Sequence, residues 1–298
     1  MTINRRRAPS SQISSDKKLG GHKQEEIYAA LIGGDVVHGT QKGDVKDKNG
    51  KLHSVKSGKK WQIFLYGYNR ISTSLHLKIL QPCLEAFPED SKQYFKDRTT
   101  CISYKEDYIE NHGRELARNL SNEVLEKHLG ANTYVESKRQ LAKTISTICG
   151  VLKDKYRLRK FLDEALFNNR DVDFLAMKDS TYKKDGVFKV FAKKDVLDVL
   201  SANLHPAVST AGRVPQDYNV AAQKTLLCYE KNGRQKNIVE IEIRNDSDTH
   251  YRQVRFNMYS GDTLFLLLNS PQCLPIKSLN EHVVIHGKAI NFFNYPAA

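Results

Sequence analysis

An α+β protein is what this sequence predicts, on three observations. From about Tyr104 to Asn168 apolar residues recur at helical spacing, and beyond Asn169 the texture changes to short alternating runs separated by turn residues. Ahead of both lies Gly43 to Gly58, GDVKDKNGKLHSVKSG, two short β-type runs around an Asn-Gly pair. These textures divide the 298 residues into a basic flexible arm (1–18), a core with a helical extension (19–168) and a mostly β lobe (169–298).

Composition narrows the function classes. A hydrophobic share of 40% is enough to bury a real core. The formal charge of +13 and pI near 9.4 favour a polyanionic partner, because lysines and arginines that neutralise phosphates release condensed counterions. Five cysteines, Cys83, Cys101, Cys149, Cys228 and Cys273, are widely spaced, with neither a zinc-type pair nor a disulfide framework. No run approaches the roughly 20 apolar residues of a spanning helix, and the amino terminus lacks an apolar signal core, so no membrane partner is expected.

Taken in order, residues 1 to 18 are basic, serine-rich and without apolar period, an arm in which Arg5-Arg6-Arg7 is placed to reach phosphate. Gly20-Gly21 punctuates it. A helix follows from about His22 to Ile32, with Ile27, Ala30 and Leu31 on one face, and Gly33-Gly34 ends it. Asp35 to His38 reads as a short strand. Lys59 to Leu80 is mainly apolar, with Trp61, Phe64 and Leu65 suited to burial and Lys59, Lys60 and Arg70 to exposure; it is expected to complete the central sheet.

The helical middle carries Tyr108, His112, Leu116 and Leu120, then Leu141, Ile145 and Ile148, and last Tyr156 to Phe167 with Arg157, Arg159 and Lys160 on its polar side. The later runs are Val172–Met177, Val187–Phe191, Thr225–Tyr229, Ile238–Arg244, Tyr251–Tyr259 and Thr263–Leu268, with one helix near Lys194–Ser201. The long loop from His205 to Tyr218 holds Arg213 near its centre. Along Tyr251 to Asn257, period two sorts Arg252 from Gln253, Arg255 and Asn257. The latter three can make paired bonds to base edges.

The hairpin has two possible registers. If Asn49-Gly50 alone turned the chain, Asp44 would face Val55 and Lys56 would point away. With a three-residue loop, Lys48-Asn49-Gly50, and Gly50 left-handed, Asp44 sits opposite Ser54 and Lys56 lies diagonal to it on the same face. Both loops suit Asn-Gly.

Asp44, Ser54-Val55-Lys56 and the helix before them resemble the PD-(D/E)xK nuclease superfamily, to which many type II restriction endonucleases belong. The resemblance spans roughly residues 20 to 70. Glu25, four residues after Gly21, fills the place of a glutamate in the family's first helix, and Gln62 to Tyr66 is similar to the Gln-x-x-x-Tyr pattern of exonuclease-type relatives. Two positions depart from the family: Gly43 stands where a proline is usual, and Ser54 replaces the second acid.

What the resemblance implies is a restriction-endonuclease-like core hydrolysing double-stranded DNA with Mg²⁺ and no nucleotide cofactor, in the cytoplasm of a prokaryote. Asp44 and the Val55 carbonyl would hold the metal, with Glu25 directly or through water. Lys56 would orient the attacking water and Ser54 donate a hydrogen bond. Lys59, Lys60, Arg213, Arg252, Gln253, Arg255 and Asn257 would contact DNA, and a palindromic target calls for a homodimer. A rival site would combine Asp171 or Asp173 with Glu240-Ile241-Glu242. Two rival functions are a basic nucleic-acid-binding protein without catalysis and a repair nuclease that reads structure.

Overall fold

The computed structural model describes residues 11–38, 42–113, 132–169, 171–178, 186–209, 224–231 and 233–293. It is an α+β fold with two sheets, and its residues gather into two compact units: 1–61, 167–200 and 260–298 in the first, 62–166 and 201–259 in the second. The arm, core and β lobe read from sequence are consecutive segments, whereas these units alternate along the chain. The reason is topological. In the first unit β3 (Leu52–Ser57) pairs parallel with β5 (Phe174–Lys178), and β6 (Phe188–Ala192) pairs parallel with β12 (Val283–His286). Parallel neighbours cannot be joined by a tight turn. The two crossovers between them carry both pieces of the second unit.

The first unit is a seven-stranded sheet in the order β1-β2-β3-β5-β6-β12-β11, where β1 is Asp35–Val36, β2 Val45–Lys46 and β11 Ile276–Asn280. Helix α1 (Ser11–Ile32) lays Tyr28, Ala29 and Ile32 on Val45, Val55, Phe174, Ala176, Phe188 and Val190, all buried. The helix begins inside the stretch expected to be a flexible arm and runs through Gly20-Gly21. Each interior glycine costs only about 1 kcal/mol, which a neighbouring helical turn can overcome.

Gly33 ends α1 at φ +64, and a side chain on Gly34 would lie 2.5 Å from the Lys46 carbonyl oxygen. The Gly-Gly pair therefore stops the helix and lets β2 approach it. Elsewhere in the unit, Asp195, at the start of α7 (Lys193–Asn203), accepts the Lys288 N–H at 2.7 Å, and burial raises its carboxyl.

The second unit is built on a five-stranded sheet, β4-β10-β9-β8-β7: Lys60–Gly67, Gln253–Tyr259, Arg234–Arg244, Lys224–Lys231 and His205–Val208. β4 joins this sheet and not the central one expected, because Gly58 at φ +88 redirects the chain. Phe64 of β4 then packs against Phe256 of β10, ring centres 5.2 Å apart. Two short helices, α2 (Tyr68–Ser72) and α3 (Gln81–Glu85), precede α4 (Ser91–His112), α5 (Thr133–Leu152) and α6 (Lys155–Phe167). On α5 the buried stripe Leu141, Ile145, Ile148 and Leu152 keeps helical period. Glu164 of α6 accepts the N–H groups of Leu75, His76 and Leu77, satisfying the open start of a 3₁₀ turn at Leu77–Leu80.

The run Thr263–Leu268, expected as strand, lies in helix α8 (Ser260–Leu268). Thr263, Leu264 and Leu267 share a buried helical stripe, and Ser260 Oγ bonds the Lys59 carbonyl at 3.0 Å. All five cysteines are free and buried. Among the described residues no helix is long and apolar enough to cross a membrane.

Candidate active site

The hairpin adopts the three-residue loop. Val45 pairs with His53 and Lys46 with Leu52, the Gly50 N–H reaches the Asp47 carbonyl at 2.9 Å, and Gly50 is left-handed at φ +78. A side chain pins this register. Asp47 Oδ1 accepts the N–H groups of Asn49 (2.9 Å) and Lys51 (2.8 Å), while Oδ2 faces His53 Nε2 at 3.3 Å.

Behind the turn the network closes onto α1. His53 is 0% exposed, and its Nδ1 meets the Tyr28 hydroxyl at 2.9 Å. A carboxylate can only accept, so Nε2 carries the proton and Nδ1 accepts from Tyr28. Burial lowers the His53 pKa below 6.5 despite the pull of Asp47, so the ring is neutral. Burial pushes Asp47 up, but the hydrogen bonds from His53 and the turn N–H groups outweigh it and leave the carboxyl below 3.8.

With that register, Asp44 and Lys56 meet. Asp44 Oδ2 accepts three hydrogen bonds: from the Val55 N–H at 2.7 Å, Lys56 Nζ at 3.0 Å and Ser54 Oγ at 3.2 Å. Lys56 Nζ also donates to the Val55 carbonyl at 3.0 Å. Among the described residues every hydrogen bond to the Asp44 carboxylate falls on Oδ2, leaving Oδ1 available. The two side chains are 20% and 19% exposed, which makes the pair reachable from solvent.

This geometry permits a test of fit for the metal. An ammonium nitrogen 3.0 Å from both Asp44 Oδ2 and the Val55 carbonyl marks a point where two hard oxygens converge on a positive charge. Mg²⁺ takes such ligands, commonly one or two carboxylates with water completing the shell. Asp44 and Val55 therefore fit. Glu25 stands differently: its Oε2 pairs with His22 Nδ1 at 3.0 Å on its own helix. Helix α1 covers the sheet face of Val45 and Val55, whereas Ser54 and Lys56 project from the other face of β3. Among the described residues no three His, Cys, Asp or Glu side chains gather around a common point.

The remaining candidates divide sharply. Lys59 and Lys60 are exposed, three and four residues beyond Lys56. Arg213 lies outside the described residues. On the expected base-reading face of β10, an interior strand between β4 and β9, Gln253 and Arg255 stay partly exposed while Asn257 is buried. Asn257 is 5% exposed, Arg255 pairs with Glu242, and Gln253 Nε2 is bonded to the Thr249 carbonyl. Arg252 packs over the Tyr68 ring and donates to the Leu84 carbonyl at 3.2 Å.

The rival site is divided between the two units. Asp173 accepts from Lys51 Nζ and the Leu52 N–H, both at 3.1 Å, tying β3 to β5. Glu240 and Glu242 are held by Tyr259, Lys224 and Arg255.

Sequence reasoning missed the supporting network of Asp47, His53 and Tyr28, although a polar residue on each apolar run was visible. It also missed Lys189, 8% exposed, which register places in one row with Met177 and Lys56 on the same sheet face. Compared with known proteins, the chain matches no family model, no curated protein and no solved structure.

Proposed function

We propose that the chain is a metal-dependent phosphodiester hydrolase of the PD-(D/E)xK type, acting on double-stranded DNA. The particular enzyme we propose within that class is a type II restriction endonuclease. One observation carries the class: Asp44, the Val55 carbonyl and Lys56 Nζ converge at a point that solvent reaches, as the resemblance requires.

Asp44 and the Val55 carbonyl would hold Mg²⁺, which when bound supplies Lewis acidity, offsetting charge on the phosphoryl oxygens and acidifying a water. Lys56 is already 3.0 Å from both oxygens, so its ammonium is placed to orient the attacking water and to face the developing negative charge. Ser54 holds the Asp44 carboxylate in position and adds no charge. Lys59 and Lys60 supply exposed cations beside the scissile phosphate, and the +13 excess supports a nucleic-acid substrate. A palindromic target would be met by a homodimer.

With Asn257 buried, and Arg255 and Gln253 bonded within the chain, a second reading in the same class is favoured, a nuclease that reads DNA structure and not base sequence. Incubating the full chain with long duplex DNA, Mg²⁺ and then EDTA separates the two. Discrete bands that EDTA abolishes identify a restriction enzyme, and an EDTA-sensitive smear identifies the second reading. Equal cleavage by wild type and Asp44→Ala removes the assignment altogether.

A further inference from the structure

Apart from the hairpin, the second unit holds an open groove whose chemistry the proposed reaction does not use. Two cavities of about 280 and 410 Å³ adjoin, sharing Ile79 and Val151 in their floor. The larger is bordered by Lys78 and Lys143, the smaller by Arg157 and Lys160 on the first two turns of α6. Neither is lined by an aspartate or glutamate. Among the described residues none of these four cations forms an ion pair. Two apolar side chains stand unusually bare at the groove, Leu75 at 75% exposure and Tyr156 at 68%, and Lys160 Nζ lies 5.5 Å from the Tyr156 ring centre.

We propose that this groove binds an unpaired strand of nucleic acid, with bases against Tyr156 and Leu75 and phosphates along Lys78, Lys143, Arg157 and Lys160. The mixture of surfaces chooses the occupant. A duplex keeps its base faces stacked inside and presents mainly phosphate, so it would leave the ring and the apolar floor uncovered. A single strand offers both a π-face for an exposed aromatic and a charge at each linkage. The chain's +13 excess favours regularly spaced phosphates over an acidic peptide. The inference stands apart from the hairpin chemistry, since binding here needs neither Asp44 nor a metal.

The test is fluorescence anisotropy of the full chain with a labelled mixed-sequence single-stranded DNA and with its duplex, EDTA being present throughout so that cleavage is not read. Tyr156→Ala should weaken single-strand binding at least about fivefold, the low end of a lost base stack, while Tyr156→Phe retains it. Lys143→Ala with Lys160→Ala should weaken it further and reduce the salt slope by about 2, one for each phosphate contact. Because both targeted faces are exposed, unchanged thermal melting will separate lost contacts from lost folding. Single-strand binding that ignores these substitutions overturns the proposal. So does a duplex preference, or an acidic leucine-rich peptide that binds through Tyr156 while the DNA does not.

Discussion

In β2–β3 and in β9–β10 alike, antiparallel pairing lays carboxylate beside cation on one sheet face, yet the two regions are suited to different work. Asp44 sits at the open end of its ladder, with all its described donors on one oxygen and a fifth of the side chain exposed. Glu240 and Glu242 each have both carboxylate oxygens engaged: Tyr259 and Lys224 at the first, Arg255 and Lys224 at the second. Burial beside those carboxylates pushes the Tyr259 hydroxyl up to about 12, so it serves as a fixed donor. Adjacent acid and base therefore do not define a site. What distinguishes Asp44 is an oxygen left over for a ligand, since Glu242 is nearly as exposed, at 17% against 20%.

The largest expected effect tests the first region. Asp44→Ala and Lys56→Ala should each lower DNA cleavage on the order of 10²–10³-fold or more, as loss of a transition-state contact does, with duplex binding retained in a gel-shift assay. Chelation with EDTA should stop cleavage outright and added Mg²⁺ restore it. Undiminished cleavage in EDTA would break the contrast between the regions.

In the second region the effect should fall on stability. Glu242→Gln leaves Arg255 without its charged partner and should cost about 1–3 kcal/mol in urea unfolding, with the cleavage rate unchanged. A rate loss comparable to that of Asp44→Ala would move the site to β9.

Acid should weaken the hairpin's support before it protonates Asp47. His53 and His286 are both depressed in the fold by burial, the second to about 4 with Lys189 adding to it. Below pH 6.5 the unfolded chain takes up protons that the folded chain refuses, so stability is full above 6.5 and falls on acidification. Each histidine contributes up to about 1.4 kcal/mol per pH unit until its folded value is reached. The depressed Asp47 adds a further loss below 3.8. Thermal melts from pH 8 to 4 should be level down to about 6.5 and decline below it, and a flat profile throughout would contradict the neutral buried His53.

The smallest effect is expected at Glu25, whose carboxylate is turned to His22. Glu25→Gln should change cleavage by about tenfold at most, the worth of one charge-assisted hydrogen bond. A loss equal to that of Asp44→Ala would instead give α1 a direct part in the chemistry.

Much of this was legible in local pattern. Asn49-Gly50, the Gly33-Gly34 stop and the alternation of β5, β6, β8, β9 and β10 each express a backbone preference confined to a few residues. Thr263–Leu268 misled because a short apolar run has no decisive period, and only packing made it helix. Along β10, alternation separates the two faces of the strand without telling that Asn257 is buried or that Arg255 pairs with Glu242.

The sequence by itself determined the α+β composition, the basic charge and a hairpin able to set Asp44 beside Lys56, since these depend on residue type and short spacing. Tertiary structure supports the register through Tyr28, whose bond to His53 spans 25 residues. It also decided how the two units alternate along the chain and the burial of Asn257. Each of those rests on partners far away in the chain, and long-range pairing leaves no periodic trace in a single sequence.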